Sequence, residues 1–200
     1  MGARLLKFDD SAITKAAACV RSGGLVVFPT DTVYGLGCDP RIVPAVKRLV
    51  EVKRKEAGAL PILCDSLESA EMILTLNDTA LAVAKKEWPG ALTIVGRAKV
   101  PFPEEVERGT GTVGVRVPRS DRCLELIRQC GGYLIGTSAN ISGDAPFTDA
   151  RSAKGTFGRL VDYVLDGGTL SGSPSTVVRI EGKKIIVLRQ GRVRVKVRNT

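Results

Sequence analysis

The 200-residue chain contains no histidine. That excludes a Ser-His-Asp triad, a Cys-His nucleophile and the common zinc sites. Aromatic residues make up only 4% of it, so the core is expected to be built from Val, Leu, Ile and Ala. No apolar run approaches the length that spans a bilayer, and no transmembrane helix or membrane partner is expected. The opening MGARLLKFDD has no long apolar region behind its basic residues, so no secretory leader is expected. The five cysteines (Cys19, Cys38, Cys64, Cys123, Cys130) include no CxxC pair. Odd count, wide spacing and apolar neighbours point to reduced, buried thiols in a cytoplasmic protein. Walker A and GxGxxG patterns are both missing, which removes the two commonest nucleotide loops. Acidic residues are outnumbered, 21 against 30 basic, for a net charge of +9. That balance favours an anionic partner: a nucleotide, RNA or both.

What is present centres on Gly24 to Gly37. Leu25 to Phe28 is a short apolar run that reads as a buried strand, and Pro29 ends it. Thr30, Asp31, Thr32 and Tyr34 then fall within five residues, followed by Gly35 and Gly37, where backbone can approach a ligand closely. A strand that stops at a polar, glycine-flanked loop is how an α/β sheet commonly presents a site at its edge. The same pattern fits a turn with satisfied hydroxyls equally well.

Helical periodicity is found over residues 10–22, with Asp10 or Ser11 as the cap, and again from Ile42 to Val50. The second helix runs into the basic cluster Lys53-Arg54-Lys55. Further helices are expected over 67–74, 78–87, 120–130 and 149–157. Strands are expected over 60–64, 91–95, 112–117, 133–136, 161–165, 176–180, 184–188 and 193–197. Strands and helices do not alternate strictly. The expectation is therefore an α/β fold with a mixed sheet flanked by helices, in one domain over residues 1–200.

Polar clusters sit at the ends of these elements: Thr30 to Tyr34, Lys53 to Lys55, Arg116 to Arg119, Ser138 to Asn140, Ser171 to Thr176, and Arg189-Gln190-Gly191. Hydroxyl, amide and guanidinium groups dominate, which is the inventory of an anion pocket. Each cluster alone is weak: a Ser-x-Asn is usually turn chemistry, and a short basic run is usually a solvated helix end.

Taken together the clusters resemble a known family. FPTDTVYGLG, starting at Phe28, is similar to the signature loop of the YrdC-like threonylcarbamoyl-AMP synthases. Trp88 to Thr93 (WPGALT), Thr112 to Pro118 (TVGVRVP), Thr137 to Gly143 (TSANISG), Pro174 to Val178 (PSTVV) and Leu188 to Gly191 (LRQG) resemble its other segments, in order. The resemblance covers roughly residues 10–193. Where the family reads Lys-x-Arg-Pro, this chain reads Lys53-Arg54-Lys55-Glu56, so that either Lys55 or Arg54 stands for the arginine.

The resemblance implies a twisted mixed sheet flanked by helices around a large concave basic cavity. It implies synthesis of L-threonylcarbamoyladenylate from L-threonine, bicarbonate and ATP, with release of pyrophosphate, for threonylcarbamoyladenosine at tRNA position 37. Thr30, Thr32, Tyr34, Arg116 and Ser175 would line the threonine side, with Arg116 pairing the carboxylate. Lys53, Arg54, Lys55, Thr112, Ser138, Asn140 and Arg189 would serve ATP. Catalysis would rest on positioning by Lys53, Ser138 and Asn140, with no protein nucleophile. Mg²⁺ would come with ATP, since it takes ligands from phosphate and water. Implied partners are tRNA or double-stranded RNA and the machinery that transfers the threonylcarbamoyl group. Two other readings remain: a paralogue that makes another carbamoyl-adenylate, and a non-catalytic RNA-binding protein.

Overall fold

The computed structural model describes residues 2–54 and 60–195. Among these residues eleven strands form two mixed sheets. The first comprises β1 (Arg4–Lys7), β2 (Val26–Pro29), β3 (Tyr34–Gly37), β8 (Thr137–Ser138) and β9 (Tyr163–Asp166), in the order β1-β9-β2-β3-β8. The second comprises β4 (Ile62–Cys64), β5 (Leu92–Arg97), β6 (Thr112–Arg116), β7 (Tyr133–Ile135), β10 (Thr176–Glu181) and β11 (Lys184–Arg189), in the order β11-β10-β5-β6-β4-β7. Each sheet holds both parallel and antiparallel pairs.

The expected mixed sheet is thus divided in two, and the division is local. The chain leaves β7 and enters β8 across the single residue Gly136. There the Ile135 amide donates to the Cys38 carbonyl at 2.9 Å, and the Gly136 amide to the Pro61 carbonyl at 2.9 Å. Gly37 lies at the same junction. A Cβ on it would collide with the Ile135 carbonyl and the Phe28 ring. Its lack of a side chain therefore serves the contact between sheets, not a ligand as its place in the sequence suggests.

Among the described residues seven helices cover the sheets: α1 (Asp10–Arg21), α2 (Val43–Lys53), α3 (Leu67–Ile73), α4 (Asp78–Glu87), α5 (Glu104–Glu107), α6 (Asp121–Gln129) and α7 (Ala150–Phe157). Helix α1 buries Ala12, Ile13, Ala16, Ala17 and Val20, the stripe its periodicity predicts. Its cap is Asp9, whose carboxylate accepts from the Ala12 amide at 3.0 Å, one residue before the expected Asp10. That stripe packs with Cys123, Leu126 and Ile127 of α6 on Val26, Phe28, Leu63 and Leu134. A second cluster joins Val27, Tyr34 and Leu36 of one sheet to Ile62, Leu92 and Val115 of the other. Strands β1 and β3 and the short α5 were not legible in the sequence. The strand expected over 193–197 does not form in residues 193–195, and the rest of it lies outside the described residues.

All five cysteines are free, with four buried and Cys19 half-buried. Burial pushes the Cys19 thiol up to about 11 and those of Cys38 and Cys130 up to about 12. These are structural thiols, not nucleophiles. Among the described residues no helix is long and apolar enough to cross a membrane.

Candidate active site

Strands β2 and β3 form a hairpin, with Pro29 opposite Tyr34. Residues 30–33 are its loop, and hydroxyls organise it. Thr30 Oγ1 donates to the Val33 carbonyl at 2.7 Å, accepts from the Thr32 amide at 3.1 Å and lies 2.9 Å from Thr32 Oγ1. Hydroxyl-to-backbone bonds of this kind stand in for ladder bonds where a strand ends.

Arg116, the last residue of β6, enters the loop from the other sheet. It is 5% exposed. Its Nε donates to the Gly90 carbonyl at 2.8 Å and its Nη1 to Thr32 Oγ1 at 3.1 Å, while Nη2 pairs with the Asp31 carboxylate. Burial pulls its pKa down, and Asp31 opposes that pull. Two segments far apart in sequence, the 30–33 loop and Gly90, therefore fix the direction of the guanidinium fork. Three of its five N–H donors are engaged, which leaves donors for an anion.

The opposite wall is built from α2 and the turn after β8. Lys53, the last residue of α2, is 3% exposed and donates to the Ser138 carbonyl, the Asn140 carbonyl and Asn140 Oδ1. Ser138 Oγ donates to Asn140 Oδ1 at 2.7 Å. A third wall comes from the loop before β10 and from β11. There Arg189 Nη2 donates to the Ser175 carbonyl at 2.8 Å, and Ser175 Oγ lies 3.0 Å from Thr93 Oγ1. Burial lowers the Arg189 pKa. Close passage of Gly191 over Pro174 and Ser175 holds this corner, where a side chain would collide with their backbone.

These walls enclose a cavity of about 600 Å³ at the junction of the two sheets. Thr30, Thr32, Tyr34, Lys53, Thr112, Arg116, Ser138, Asn140, Ser175 and Arg189 all line it, so ten residues far apart in sequence share one space. Thr112 sits at the exposed end of β6 beside Thr110. Of the two candidates for the family's arginine, Arg54 does not join it. Arg54 ends α2 in the left-handed conformation, at φ 50°, and lines a separate surface groove with Arg48, Glu51 and Arg159. Lys55 lies outside the described residues. The Tyr34 hydroxyl also points elsewhere: it donates to the Gly168 carbonyl at 2.7 Å and accepts from the Gly167 amide at 3.1 Å.

Sequence reasoning missed Asp31 as the partner of Arg116, and Thr93, Ser142 and Asp144 as lining residues. Thr93 lies within WPGALT and Ser142 within TSANISG, so the motifs held that signal. Nothing in the spacing paired Asp31 with Arg116. Among the described residues no group of three Asp, Glu, Cys or His side chains could hold a metal ion.

The chemistry on offer is anion recognition: a guanidinium fork on one wall, lysine, amide and hydroxyl groups on the opposite wall, and a second guanidinium with hydroxyls on the third. The Sua5/YciO/YrdC family model, described as telomere recombination, matches residues 18–191. A threonylcarbamoyl-AMP synthase of Thiobacillus denitrificans is 36% identical over 173 residues, which cover 84% of this chain and 91% of that protein. A threonylcarbamoyl-AMP synthase of Pyrococcus abyssi is 36% identical over 92% of this chain and 55% of its own length. The crystal structure of P. abyssi Sua5 complexed with L-threonine superposes with a TM-score of 0.89 at 34% identity, over 94% of this chain and 57% of that one. The chain thus spans nearly the whole of the bacterial relative and little more than half of the archaeal one.

Proposed function

The chain belongs to the Sua5/YciO/YrdC family, and on that premise we propose that it is a threonylcarbamoyl-AMP synthase. It makes L-threonylcarbamoyladenylate from L-threonine, bicarbonate and ATP, and releases pyrophosphate. The product supplies the group that the tRNA-modifying machinery attaches at position 37. The observation that carries this reading is the single cavity holding both the Arg116–Thr32 fork and the Lys53–Ser138–Asn140 wall. The first suits an amino-acid carboxylate, the second a polyphosphate.

On this reading the threonine amine attacks the carbon of bicarbonate, and water leaves. A carbamate oxygen then attacks the α-phosphorus, and pyrophosphate leaves. The substrate supplies the nucleophile in both steps. The protein gathers the reactants and offsets charge at phosphorus, and one well-placed donor in such a site is worth about 3 kcal/mol. Mg²⁺ would accompany ATP as part of the substrate and would offset charge on its phosphates. The net charge of +9 suits an RNA partner, and five free thiols suit a cytoplasmic setting.

The test is an assay read by mass spectrometry for the threonylcarbamoyl adduct of AMP. Adduct and pyrophosphate should appear only with threonine, bicarbonate and ATP together. ATP cleavage that ignores threonine would move the chain to another carbamoyl-adenylate. Tight tRNA binding with no cleavage would make it an RNA-binding protein.

A further inference from the structure

Lys53 is gripped from both of its ends by one loop. Its Nζ donates to the Ser138 carbonyl at 2.6 Å, to Asn140 Oδ1 at 2.6 Å and to the Asn140 carbonyl at 3.2 Å. An ammonium donates through N–H groups only, and all three of these contacts are to oxygens of this one loop. Its own carbonyl accepts from the Ser142 amide at 3.1 Å. The loop then closes on itself: Ser138 Oγ donates to Asn140 Oδ1, and Asn140 Nδ2 donates to the Asp144 carbonyl at 2.7 Å.

We infer that Lys53 is a positioning residue that serves ATP through the Ser138–Asp144 loop, and not as a phosphate ligand. The inference rests on the functional reading above and deepens it. Swinging Nζ onto a phosphate would remove its bonds to two backbone carbonyls and a side-chain amide in a buried corner, where lost partners are not replaced by water. Ser138, Ser142 and Gly143 of the loop line the cavity, so the loop is placed to meet the nucleotide. α2 ends at this lysine, which ties the loop to a rigid element of the scaffold.

The test compares Lys53→Met, Lys53→Arg, Asn140→Ala and the Lys53→Met/Asn140→Ala double variant. Arginine binds phosphate well but cannot set three donors at one point. If Lys53 positions the loop, Lys53→Arg and Lys53→Met raise the KM for ATP alike, about tenfold, and leave that for threonine within about twofold. The double variant is then no worse than the poorer single variant, because both act through one unit. Hydrogen exchange at the Ser142 amide quickens in both lysine variants. A Lys53→Arg enzyme that keeps its ATP KM, or single effects that multiply in the double variant, would overturn the inference. Should Lys53→Met fail to fold, Lys53→Arg with Asn140→Ala decides by the same criteria. If the wild-type protein makes no adduct, the functional reading fails; calorimetric titration with ATP and the Ser142 exchange then still decide the role of Lys53.

Discussion

On one wall of the cavity Arg116 is held by a carboxylate; on the opposite wall Lys53 is held by carbonyl and amide oxygens. Asp31 largely cancels the charge of Arg116 while leaving donors on its fork. The pair itself has direction but little net field, which suits a small ligand that itself carries both charges. Lys53 meets the oxygens of Ser138 and Asn140, and a cation on that wall suits a polyphosphate. On the proposed function, threonine is recognised by geometry and ATP by field.

The sharpest way to break this contrast is Arg116→Ala. It removes threonine's fork and leaves the largely covered Asp31 carboxylate without its partner. Breaking a buried pair by deleting one member destabilises by about 3–5 kcal/mol. The variant should therefore lose activity and melt about 10 °C lower. Sequence reasoning alone leads one to expect lost turnover with the fold intact; the ion pair changes that forecast. Arg116→Ala/Asp31→Ala should recover much of the stability and none of the threonine-dependent turnover. A double variant that melts no higher than Arg116→Ala would show that the pair is not what Arg116 contributes to folding.

Gly37→Ala acts on both ends at once. The new methyl must displace either the Ile135 carbonyl or the Phe28 ring, and forced repacking costs about 1–3 kcal/mol. Threonine and ATP should both bind more weakly, by similar factors, because the walls of the cavity are drawn from both sheets. Loss confined to one substrate, measured by calorimetric titration, would contradict a shared junction.

Ser138→Ala is milder for the fold and selective for the nucleotide end. Asn140 Oδ1 keeps its bond from Lys53, so no buried acceptor is stranded, and stability should fall by no more than about 1 kcal/mol. Turnover should drop by about 100-fold, the usual scale for one preorganised donor, with threonine affinity unchanged. Weakened threonine binding would mean that the two ends are not separate.

How much of this was legible in the sequence follows from what each feature depends on. Ile13, Ala16, Ala17 and Val20 announce α1 because helical periodicity is local. The cavity residues were legible through the family's motifs, which preserve residue types without their geometry. Asp31 opposite Arg116 was not legible, because the pair spans two sheets and 85 positions. Strand β3 was hidden by its own composition, since Tyr34-Gly35-Leu36-Gly37 reads as a glycine loop. It is a strand because those glycines admit Phe28 and the Ile135 carbonyl. Arg54 was placed at the site by its neighbours in sequence, yet the turn that ends α2 sends it to another surface.

The smallest expected effect concerns the loop's last polar side chain. Tyr34 lines the cavity with its body, while its hydroxyl bridges Gly167 and Gly168 on the far side. Burial raises its pKa, so the hydroxyl stays protonated at neutral pH and keeps donating to the Gly168 carbonyl. Tyr34→Phe removes two hydrogen bonds, but Gly167 and Gly168 are exposed and water replaces the lost partner. The loss should be about 1 kcal/mol, seen as a melting point a few degrees lower. Kinetic constants for threonine and ATP should both stay within about twofold. Thr32→Ala, by contrast, removes the acceptor of Arg116 Nη1 inside the cavity and should raise the threonine KM several-fold. If the two variants raise it equally, the Tyr34 hydroxyl must turn inward when threonine binds, and the amino-acid end is less rigid than its ion pair implies.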